Sequence, residues 1–166
     1  MDNLAIIGSG GFGREVALWS NGYKTIEFYV DDHLCTFESK LSELPIDKHS
    51  IIAIGNPDIR MTIAKKLPKK QLYTYVVHNT AITSVINLGL IMCPYAVITT
   101  NVKIGKHLHM NLHSDIGHDC IIEDFVTLSP GARISGFCNV GNNVYIGTNA
   151  VIREKIKITD NCIIGA

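Results

Sequence analysis

The stretch from Ile91 to Cys120 reads IMCPYA VITTNV KIGKHL HMNLHS DIGHDC when it is written in groups of six residues. The second residue of each group is aliphatic or Met, and this rule continues to the end of the chain. All thirteen second-place residues from Met92 to Ile164 are apolar, and the sixth place is mostly small or aliphatic. A period of six does not fit an α-helix, which repeats about every 3.6 residues. It indicates short strands joined by tight turns.

Three strands and three turns, one for each group of six, complete a coil, and successive coils can stack. The repeat therefore predicts a parallel β-helix from about Ile91 onward, with inward columns of residues three groups apart. One predicted column contains Met92, Met110, Leu128, Ile146 and Ile164, and a second contains Ile98, Ile116, Ile134 and Ile152. Cys120, Cys138 and Cys162 are expected as small core residues. The third-place glycines are expected at corners that need unusual backbone angles; they are Gly105, Gly117, Gly141, Gly147 and Gly165.

The N-terminal part of the chain follows a different pattern, in which apolar strand-like runs alternate with helix-like segments. The predicted strands are residues 4–7, 26–30, 50–55 and 72–77, and the predicted helices start near Gly13 and at Asn56–Pro57. Asn is a favoured N-cap residue, and Pro is favoured in the first helical position. Alternating strands and helices indicate a parallel α/β layer. We therefore predict an α/β half-Rossmann-like domain at 1–78 and an all-β domain at 79–166.

The composition excludes several classes of function. The chain has 166 residues, with 15 basic and 15 acidic side chains, and this balance disfavours a nucleic-acid partner. No apolar run approaches the roughly 20 residues of a membrane helix, and no secretory signal is recognisable. The five cysteines, including Cys35 and Cys93, are scattered and form no C-x-x-C motif. These features predict a cytoplasmic protein with no membrane partner.

The segment IIGSGGFGREV, residues 6–16, contains glycines at positions 8, 10 and 13 and resembles the start of a dinucleotide-binding fold. Asp31 follows Gly8 at about the spacing expected of a ribose-binding acid, roughly 20 residues. However, the N-terminal part is short, and its four predicted strands supply only one half of a dinucleotide fold. A mononucleotide site, such as one for the UDP part of a nucleotide sugar, fits this length better than NAD. A plain glycine turn without a ligand is the alternative.

Several motifs together resemble one known family. The glycine segment, DD at 31–32, AIGNPDIR at 53–60, and NLHSDIGHDC at 111–120 among hexapeptide repeats are similar to the sialic-acid O-acetyltransferase and nucleotide-amino-sugar N-acetyltransferase family. The resemblance covers nearly the whole chain and implies that the β-helix is left-handed. It also implies a homotrimer, with acetyl-CoA between neighbouring β-helices and a nucleotide sugar spanning the α/β domain and the coils.

The resemblance implies roles for individual residues. His118 matches the general base, Asp119 the acid that orients it, and Asn111 a polar residue near the reacting centre. Gly136 matches a glycine whose backbone N–H faces the thioester oxygen. The remaining matches are Thr127, Thr148 and Ala166 for acetyl-CoA contacts, and Gly8, Ser9, Gly10, Gly11, Asp31, Asp32 and Gly55 for the nucleotide-sugar pocket. Many relatives have histidine in place of Thr127.

The expected reaction is direct transfer of an acetyl group to the amine of a nucleotide-linked sugar, without a metal. Histidine can remove a proton from such an amine near neutral pH, and a neighbouring carboxylate fixes its tautomer. Acetylation of a sugar hydroxyl, as in sialic-acid O-acetyltransferases, is the alternative acceptor chemistry. Two lesser alternatives are a zinc enzyme like the γ-class carbonic anhydrases, using His113 and His118, and a non-catalytic trimeric scaffold. His107 and His109 are expected to face solvent or an interface.

Overall fold

The computed structural model describes residues 3–34, 36–78, 81–82 and 87–166, with the backbone alone described at 81–82. Cys35 and the predicted boundary at residue 79 therefore lie outside the described residues. Neither of the two helices in the described ranges is long and apolar enough to cross a membrane.

The N-terminal domain is a parallel sheet with two helices. Its sheet has the strand order β3-β2-β1-β4 in the described residues. The strands are β1 (Asn3–Ile7), β2 (Thr25–Val30), β3 (Ser39–Lys40) and β4 (Ser50–Ile52), and the helices are α1 (Gly11–Trp19) and α2 (Pro57–Lys66). Helix α2 starts as the sequence predicts, because the Asn56 side chain accepts a hydrogen bond from the Ile59 N–H at 3.1 Å. Its last turn carries Lys65 and Lys66, whose positive charges interact favourably with the negative end of the helix dipole.

The fourth predicted strand, at residues 72–77, does not belong to this sheet. Tyr73 forms a single bridge with Ser50, and the chain then leaves the α/β domain. The next strand, β5 (Val76–Val77), pairs with residues 91–92 and is the first strand of the β-helix. The β-helix therefore begins at Val76 and not at Ile91. The repeat does not predict this first coil, because the coil departs from the regular hexapeptide spacing.

The C-terminal domain is a β-helix with three flat sides. Side 1 contains β5, β7 (Ile91–Met92), β10 (His109–Met110), β13 (Thr127–Leu128), β16 (Tyr145–Ile146) and β19 (Ile163–Ile164). Side 2 contains β6 (Ala81–Ile82), β8 (Val97–Ile98), β11 (Asp115–Ile116), β14 (Arg133–Ile134) and β17 (Val151–Ile152). Side 3 contains β9 (Lys103–Ile104), β12 (Ile121–Ile122), β15 (Asn139–Val140) and β18 (Lys157–Ile158).

The predicted inward columns are confirmed by the strand register. Ile116 pairs with both Ile98 and Ile134, and Ile134 pairs with Ile152. On side 1, Met110 pairs with Met92 and Leu128, and the column continues through Ile146 to Ile164. Cys120 and Cys138 are fully buried in the same core, and Cys162 packs against its end.

The prediction for the third-place glycines is wrong. In the described coils a positive φ occurs at the fifth place of each group, at residues such as His113, Asp119 and Phe137, whereas Gly105 and Gly117 have ordinary φ angles. The glycines are instead required by close stacking. A Cβ at Gly117 would lie 2.7 Å from the backbone nitrogen of Gly136 in the next coil. Any side chain there would push the two coils apart.

The α/β domain packs on side 1 of the β-helix. His109 is buried against the Phe12 ring, with ring centroids 5.5 Å apart. His107 is buried between Tyr73 and Phe125, with centroid distances of 4.6 and 4.8 Å. Of the two expected environments, solvent or an interface, these histidines therefore occupy an interface, the one between the two domains. Burial lowers the pKa of His107 to about 4 and also lowers that of His109.

Candidate active site

The turns of the β-helix form three vertices, and one of them carries the predicted catalytic pair. We call the vertex between sides 2 and 3 the His118 vertex; it contains residues 99–102, 117–120, 135–138 and 153–156. The Nδ1 atom of His118 lies 2.8 Å from Oδ2 of Asp119. His118 is about half exposed and Asp119 about one third exposed, so the ring can be reached from solvent. This geometry leaves Nε2 of His118 available to accept a proton.

The Asp119 carboxylate is held by two donors. Its Oδ1 accepts a hydrogen bond from the Asn101 side-chain amide, which belongs to the preceding coil. The hydrogen bonds from Asn101 and His118 together hold the pKa of Asp119 below its usual value. The carboxylate is therefore ionised near neutral pH and can accept a hydrogen bond from Nδ1–H of His118.

Gly136 lies in the next coil, directly against the imidazole. A Cβ at this position would be 2.7 Å from Cε1 and 2.8 Å from Nε2 of His118. Phe137 meets the same imidazole edge-on, with centroids 5.1 Å apart. The structure thus brings Gly136 together with the His118–Asp119 pair, as the resemblance predicts, and the position requires glycine because a larger residue would displace the ring.

The other predicted coenzyme contacts are distributed differently. Thr148 and Ala166 lie one coil apart at the vertex between sides 1 and 2, where a Cβ at Gly147 would be 2.8 Å from the Ala166 nitrogen. Asn111 lies at this same vertex, and its Oδ1 accepts a hydrogen bond from the Leu112 N–H at 2.7 Å. Within one chain, these three residues and the His118 pair therefore occupy neighbouring vertices and do not form one cluster.

Thr127 does not support the predicted contact with acetyl-CoA. Its side chain is buried on side 1, facing the α/β domain. The hydroxyl donates to the Gly55 carbonyl at 2.8 Å and accepts from the Arg60 guanidinium at 2.8 Å. Both hydrogen-bonding functions of the hydroxyl are therefore used between the two domains. Gly55 is held in the same contact, so its carbonyl contributes to domain packing.

The glycine segment forms a tight turn between β1 and α1. Gly8 has a φ of +110°, and a Cβ at Gly13 would lie 1.9 Å from the Gly8 carbonyl oxygen. Gly10 is the N-cap residue of α1, and a Cβ built at Gly10 or Gly11 meets no atom within 4 Å. The turn thus leaves open space at a helix N-terminus, which is a favourable environment for a phosphate group.

A cavity of about 520 Å³ opens beside this turn and includes several predicted nucleotide-site residues. Its lining is mostly aliphatic, with charge at Asp58 and at the ion pair between Asp31 and Lys66, whose Oδ2 and Nζ atoms are 2.8 Å apart. Lys66 and His33 keep the pKa of Asp31 below its usual value. Its lining residues are Ile7, Gly8, Ser9, Gly10, Val30, Asp31, Leu34, Ile54, Asp58, Ile59, Thr62, Ile63 and Lys66.

Asp32 points into a neighbouring recess, and its Oδ1 accepts a hydrogen bond from the Ser42 N–H at 3.0 Å. Gly55 and Asp32 therefore do not line the main cavity, whereas Asp31 and the residues from Gly8 to Gly10 do. The sequence assigns all of these residues to one site and does not separate these two environments.

Sequence reasoning missed two residues beside these sites. Glu38 hydrogen-bonds to the Ser9 side chain and to the N–H groups of Thr36 and Phe37, and these bonds lower its pKa to about 2. It lies in an irregular segment with no motif, so nothing in the sequence marks it. Asn101 occupies the fifth place of its repeat, exactly one coil before Asp119, and this spacing could have identified the contact.

The zinc alternative gains no support from the geometry of one chain. His113 lies at a different vertex from His118 and stacks on Tyr95, with centroids 4.9 Å apart and planes at 10°. In the described residues, no group of three or more His, Cys, Asp or Glu side chains is placed to hold a metal ion.

Comparison with known proteins agrees with the fold. Residues 3–67 match the PglD N-terminal domain, and residues 137–166 match the bacterial transferase hexapeptide repeats. WeeI from Acinetobacter baumannii AYE is 30% identical, with a TM-score of 0.85 over 99% of this chain and 89% of that chain. The acetyltransferase domain of PglB from Neisseria gonorrhoeae FA1090, solved with acetyl coenzyme A, is 27% identical, also with a TM-score of 0.85, over 99% of this chain and 88% of that chain.

A curated relative extends the comparison. The GDP-perosamine N-acetyltransferase of Escherichia coli O157:H7 is 29% identical over 177 residues, which cover 94% of this chain and 80% of the relative. The resemblance predicted from the sequence motifs is thus confirmed, as is the left-handed β-helix that it implies. The chain belongs to the family of hexapeptide-repeat sugar acyltransferases that begin with a PglD N-terminal domain.

Proposed function

We propose that this protein transfers an acetyl group from acetyl-CoA to the amine of a nucleotide-activated amino sugar, with His118 as the general base. The observation that carries the proposal is the His118–Asp119 pair at 2.8 Å, with Gly136 against the same imidazole. The PglB acetyltransferase domain solved with acetyl coenzyme A supports the donor, and the GDP-perosamine N-acetyltransferase supports the acceptor class.

The pair has the features that direct acetyl transfer requires. The sugar amine attacks the thioester carbon while Nε2 of His118 takes a proton from the nitrogen. The imidazolium then gives this proton to the sulfur as the C–S bond breaks, and CoA leaves as its thiol. The Asp119 carboxylate accepts a hydrogen bond from Nδ1–H of His118 and stabilises the imidazolium that forms. The Gly136 N–H is proposed to donate to the developing oxyanion, an interaction that is often worth about 3–4 kcal/mol. No nucleophilic side chain is needed.

The α/β domain is proposed to bind the nucleotide part of the acceptor. The open turn at Gly10 and Gly11 suits the phosphates, and the aliphatic cavity of about 520 Å³ suits the nucleoside. The sheet has four strands in the described residues, which corresponds to one mononucleotide-binding half. We therefore propose a nucleoside diphosphate sugar, and not NAD, as the ligand.

The active enzyme is proposed to be a homotrimer in the cytoplasm, where acetyl-CoA is available. The α/β domain covers side 1 of the β-helix, and the His118 vertex is the one opposite this side. The body of the β-helix therefore separates the nucleotide cavity from His118 of the same chain. A sugar held in that cavity needs the His118 vertex of a neighbouring chain, and a closed cyclic assembly provides such a vertex at each interface.

The test is a panel of UDP- and GDP-linked sugars, each offered as the amino sugar and as the matched sugar with a hydroxyl in place of the amine. Release of CoA thiol from acetyl-CoA is measured, and the product is identified by mass. We expect turnover with at least one nucleotide-linked amino sugar. When NAD is offered in place of the nucleotide sugar, we expect no turnover. Turnover of only the hydroxyl sugars would establish the O-acetyltransferase alternative, and failure to bind acetyl-CoA by calorimetry would favour the scaffold.

A further inference from the structure

We propose that Asn101 is a positioning residue of the active site, which fixes the Asp119 carboxylate and through it the tautomer of His118. The inference rests on the proposed function, because it gives Asn101 a part in general-base catalysis. It depends on a contact between two consecutive coils of the β-helix.

The three side chains form a continuous hydrogen-bonded chain across the His118 vertex. The Asn101 amide donates to Oδ1 of Asp119, while Oδ2 of the same carboxylate is 2.8 Å from Nδ1 of His118. Each carboxylate oxygen is therefore occupied by one partner. A carboxylate anchored at one oxygen cannot rotate freely about its Cβ–Cγ bond, so the other oxygen stays aimed at the imidazole.

The backbone of the vertex fixes the distance between the two coils. Asn101 and Asp119 occupy the same fifth place of consecutive coils and share the left-handed conformation, with φ angles of 58°. The Asp119 N–H also donates to the Thr100 carbonyl at 3.2 Å. Asn is among the few non-glycine residues that adopt this conformation readily, so the backbone holds its amide over Asp119 at little cost.

A second inter-coil contact of the same kind lies at another vertex. Asn143 and Asn161 also occupy fifth places one coil apart, at the vertex between sides 3 and 1, and their side chains hydrogen-bond at 2.8 Å. That contact is remote from His118. It therefore provides a matched control in which a comparable inter-coil hydrogen bond is removed without touching the catalytic pair.

The electrostatics of the vertex agree with the proposed role. Asn101 is the largest of the causes that keep the pKa of Asp119 low, ahead of His118. The charged groups of the same vertex in the following coils are Arg153, Glu154 and Lys155, all exposed, and the Cys138 thiol of this vertex is buried. Loss of the amide would leave Asp119 ionised but mobile, and it would then hold the Nδ1 proton of His118 less firmly.

The test compares Asn101→Gly, Asn101→Asp and Asn161→Gly with the wild type. Glycine keeps the left-handed backbone and removes only the side chain. For Asn101→Gly we expect kcat to fall about tenfold, which is less than the roughly 10²–10⁴-fold effect of a general base itself, while KM for acetyl-CoA changes less than about twofold. Asn101→Asp places a like charge beside Asp119. In this variant, the acidic limb of the pH profile of kcat/KM should move to higher pH. Asn161→Gly should leave kcat and the pH profile unchanged. An effect transmitted through Asn143, which also donates to Oδ1 of Asp58 at 2.6 Å, would change KM for the nucleotide sugar and not kcat.

A second readout does not depend on turnover. In protein labelled with ¹⁵N-histidine, the His118 resonances, assigned by their loss in His118→Asn, should show the Nδ1–H tautomer in the wild type and a mixture in Asn101→Gly. An unchanged tautomer together with an unchanged kcat would overturn the positioning role. Normal turnover in His118→Asn would instead refute the proposed base, while the tautomer measurement would still report on Asn101.

Discussion

The buried guanidinium of Arg60, in the first half of α2, donates a hydrogen bond of 2.8 Å to the hydroxyl of Thr127, which lies on a strand of the β-helix. Arg60 also donates to the carbonyl oxygens of Ile54, Gly55 and Val126. One side chain thus ties the loop after β4 to the β-helix. Burial lowers the pKa of Arg60 to about 9, because the charged guanidinium is removed from water.

We expect Arg60→Met to destabilise the protein by about 3 kcal/mol, because three carbonyl groups and the Thr127 hydroxyl lose a donor while the aliphatic volume is roughly kept. Unfolding in urea, followed by circular dichroism, measures the change. Arg153→Met is the control, since Arg153 is 83% exposed and its loss should cost under about 0.5 kcal/mol. Equal stability of the two variants would show that the domains do not depend on Arg60.

The buried histidines predict a loss of stability in mildly acidic solution. The pKa of His107 is about 4 in the folded chain and about 6.5 in the unfolded chain, so the unfolded state binds more protons between these values. The free energy of unfolding should therefore fall as the pH decreases, by about 2 kcal/mol between pH 7 and pH 5 from His107 alone. The groups that act on His107 are Arg60, Lys106 and Asp124.

His107→Phe tests this assignment. Phe occupies the same fifth place at positions 125 and 137 with a positive φ, so the backbone tolerates it. The variant should lose much of the stability change between pH 7 and pH 5 that the wild type shows. The carboxylates with a lowered pKa, such as Asp31 and Glu38, lose their stabilising effect only at lower pH. An unaltered pH dependence in His107→Phe would contradict the proposed origin.

Substitution of Gly136 by Ala, which adds one methyl group beside the catalytic pair, should strongly reduce activity. Gly136→Ala adds one methyl group 2.7–2.8 Å from the His118 ring and should displace the imidazole, because the Gly136 backbone is fixed between coils. We expect kcat to fall about 100-fold, in line with the loss of a general base. Gly22→Ala, where the added Cβ meets no atom within 4 Å, is the control for activity.

The zinc alternative and the proposed acetyl transfer predict different effects of substituting His113. His113 stacks on Tyr95 and has no link to His118, so His113→Ala should retain turnover within about threefold, as surface substitutions usually do. Under the zinc alternative, the same substitution would abolish activity together with bound metal. Activity and metal content of the purified variant, measured by elemental analysis, decide between the two.

The inward columns could be predicted because each depends on a local rule. Residues at the same place in consecutive coils stack on one another, so the burial of Ile116 and Ile134 can be read from their spacing. The repeat also predicts where the third-place glycines occur. It does not predict why glycine is required there, since the sequence does not show that Gly117 lies against Gly136. The pairing of Asn101 with Asp119 was within reach of the same spacing.

The residues between the two domains could not be predicted in this way. Thr127, His107 and His109 occupy repeat positions that would be exposed in a bare β-helix, and they become buried only because the α/β domain covers side 1. Nothing in the repeat indicates which side is covered. Arg60 carries no recognisable role in the sequence for the same reason, because its partners Val126 and Thr127 belong to the other domain.

The separation of the nucleotide cavity from His118 within one chain predicts complementation between two inactive variants. His118→Ala removes the base, and Gly10→Asp places a carboxylate at the N-cap of α1, where the phosphates are proposed to bind and where Asp is a tolerated cap residue. Each variant alone should be inactive. If a site uses the cavity of one chain and His118 of the next, random mixed trimers contain an intact site at about one interface in four.

Coexpression of the two variants should therefore restore about a quarter of the wild-type turnover, since half of the chains keep an intact cavity and half of their neighbours keep His118. Gly22→Asp coexpressed with His118→Ala controls for the added charge and should give about half of the wild-type turnover, because every cavity is intact and half of the neighbours supply the base. Light scattering on the same samples establishes the trimer. If the trimer forms but the coexpressed variants remain inactive, each site is built within one chain, and the nucleotide sugar must reach His118 by a path that avoids side 1.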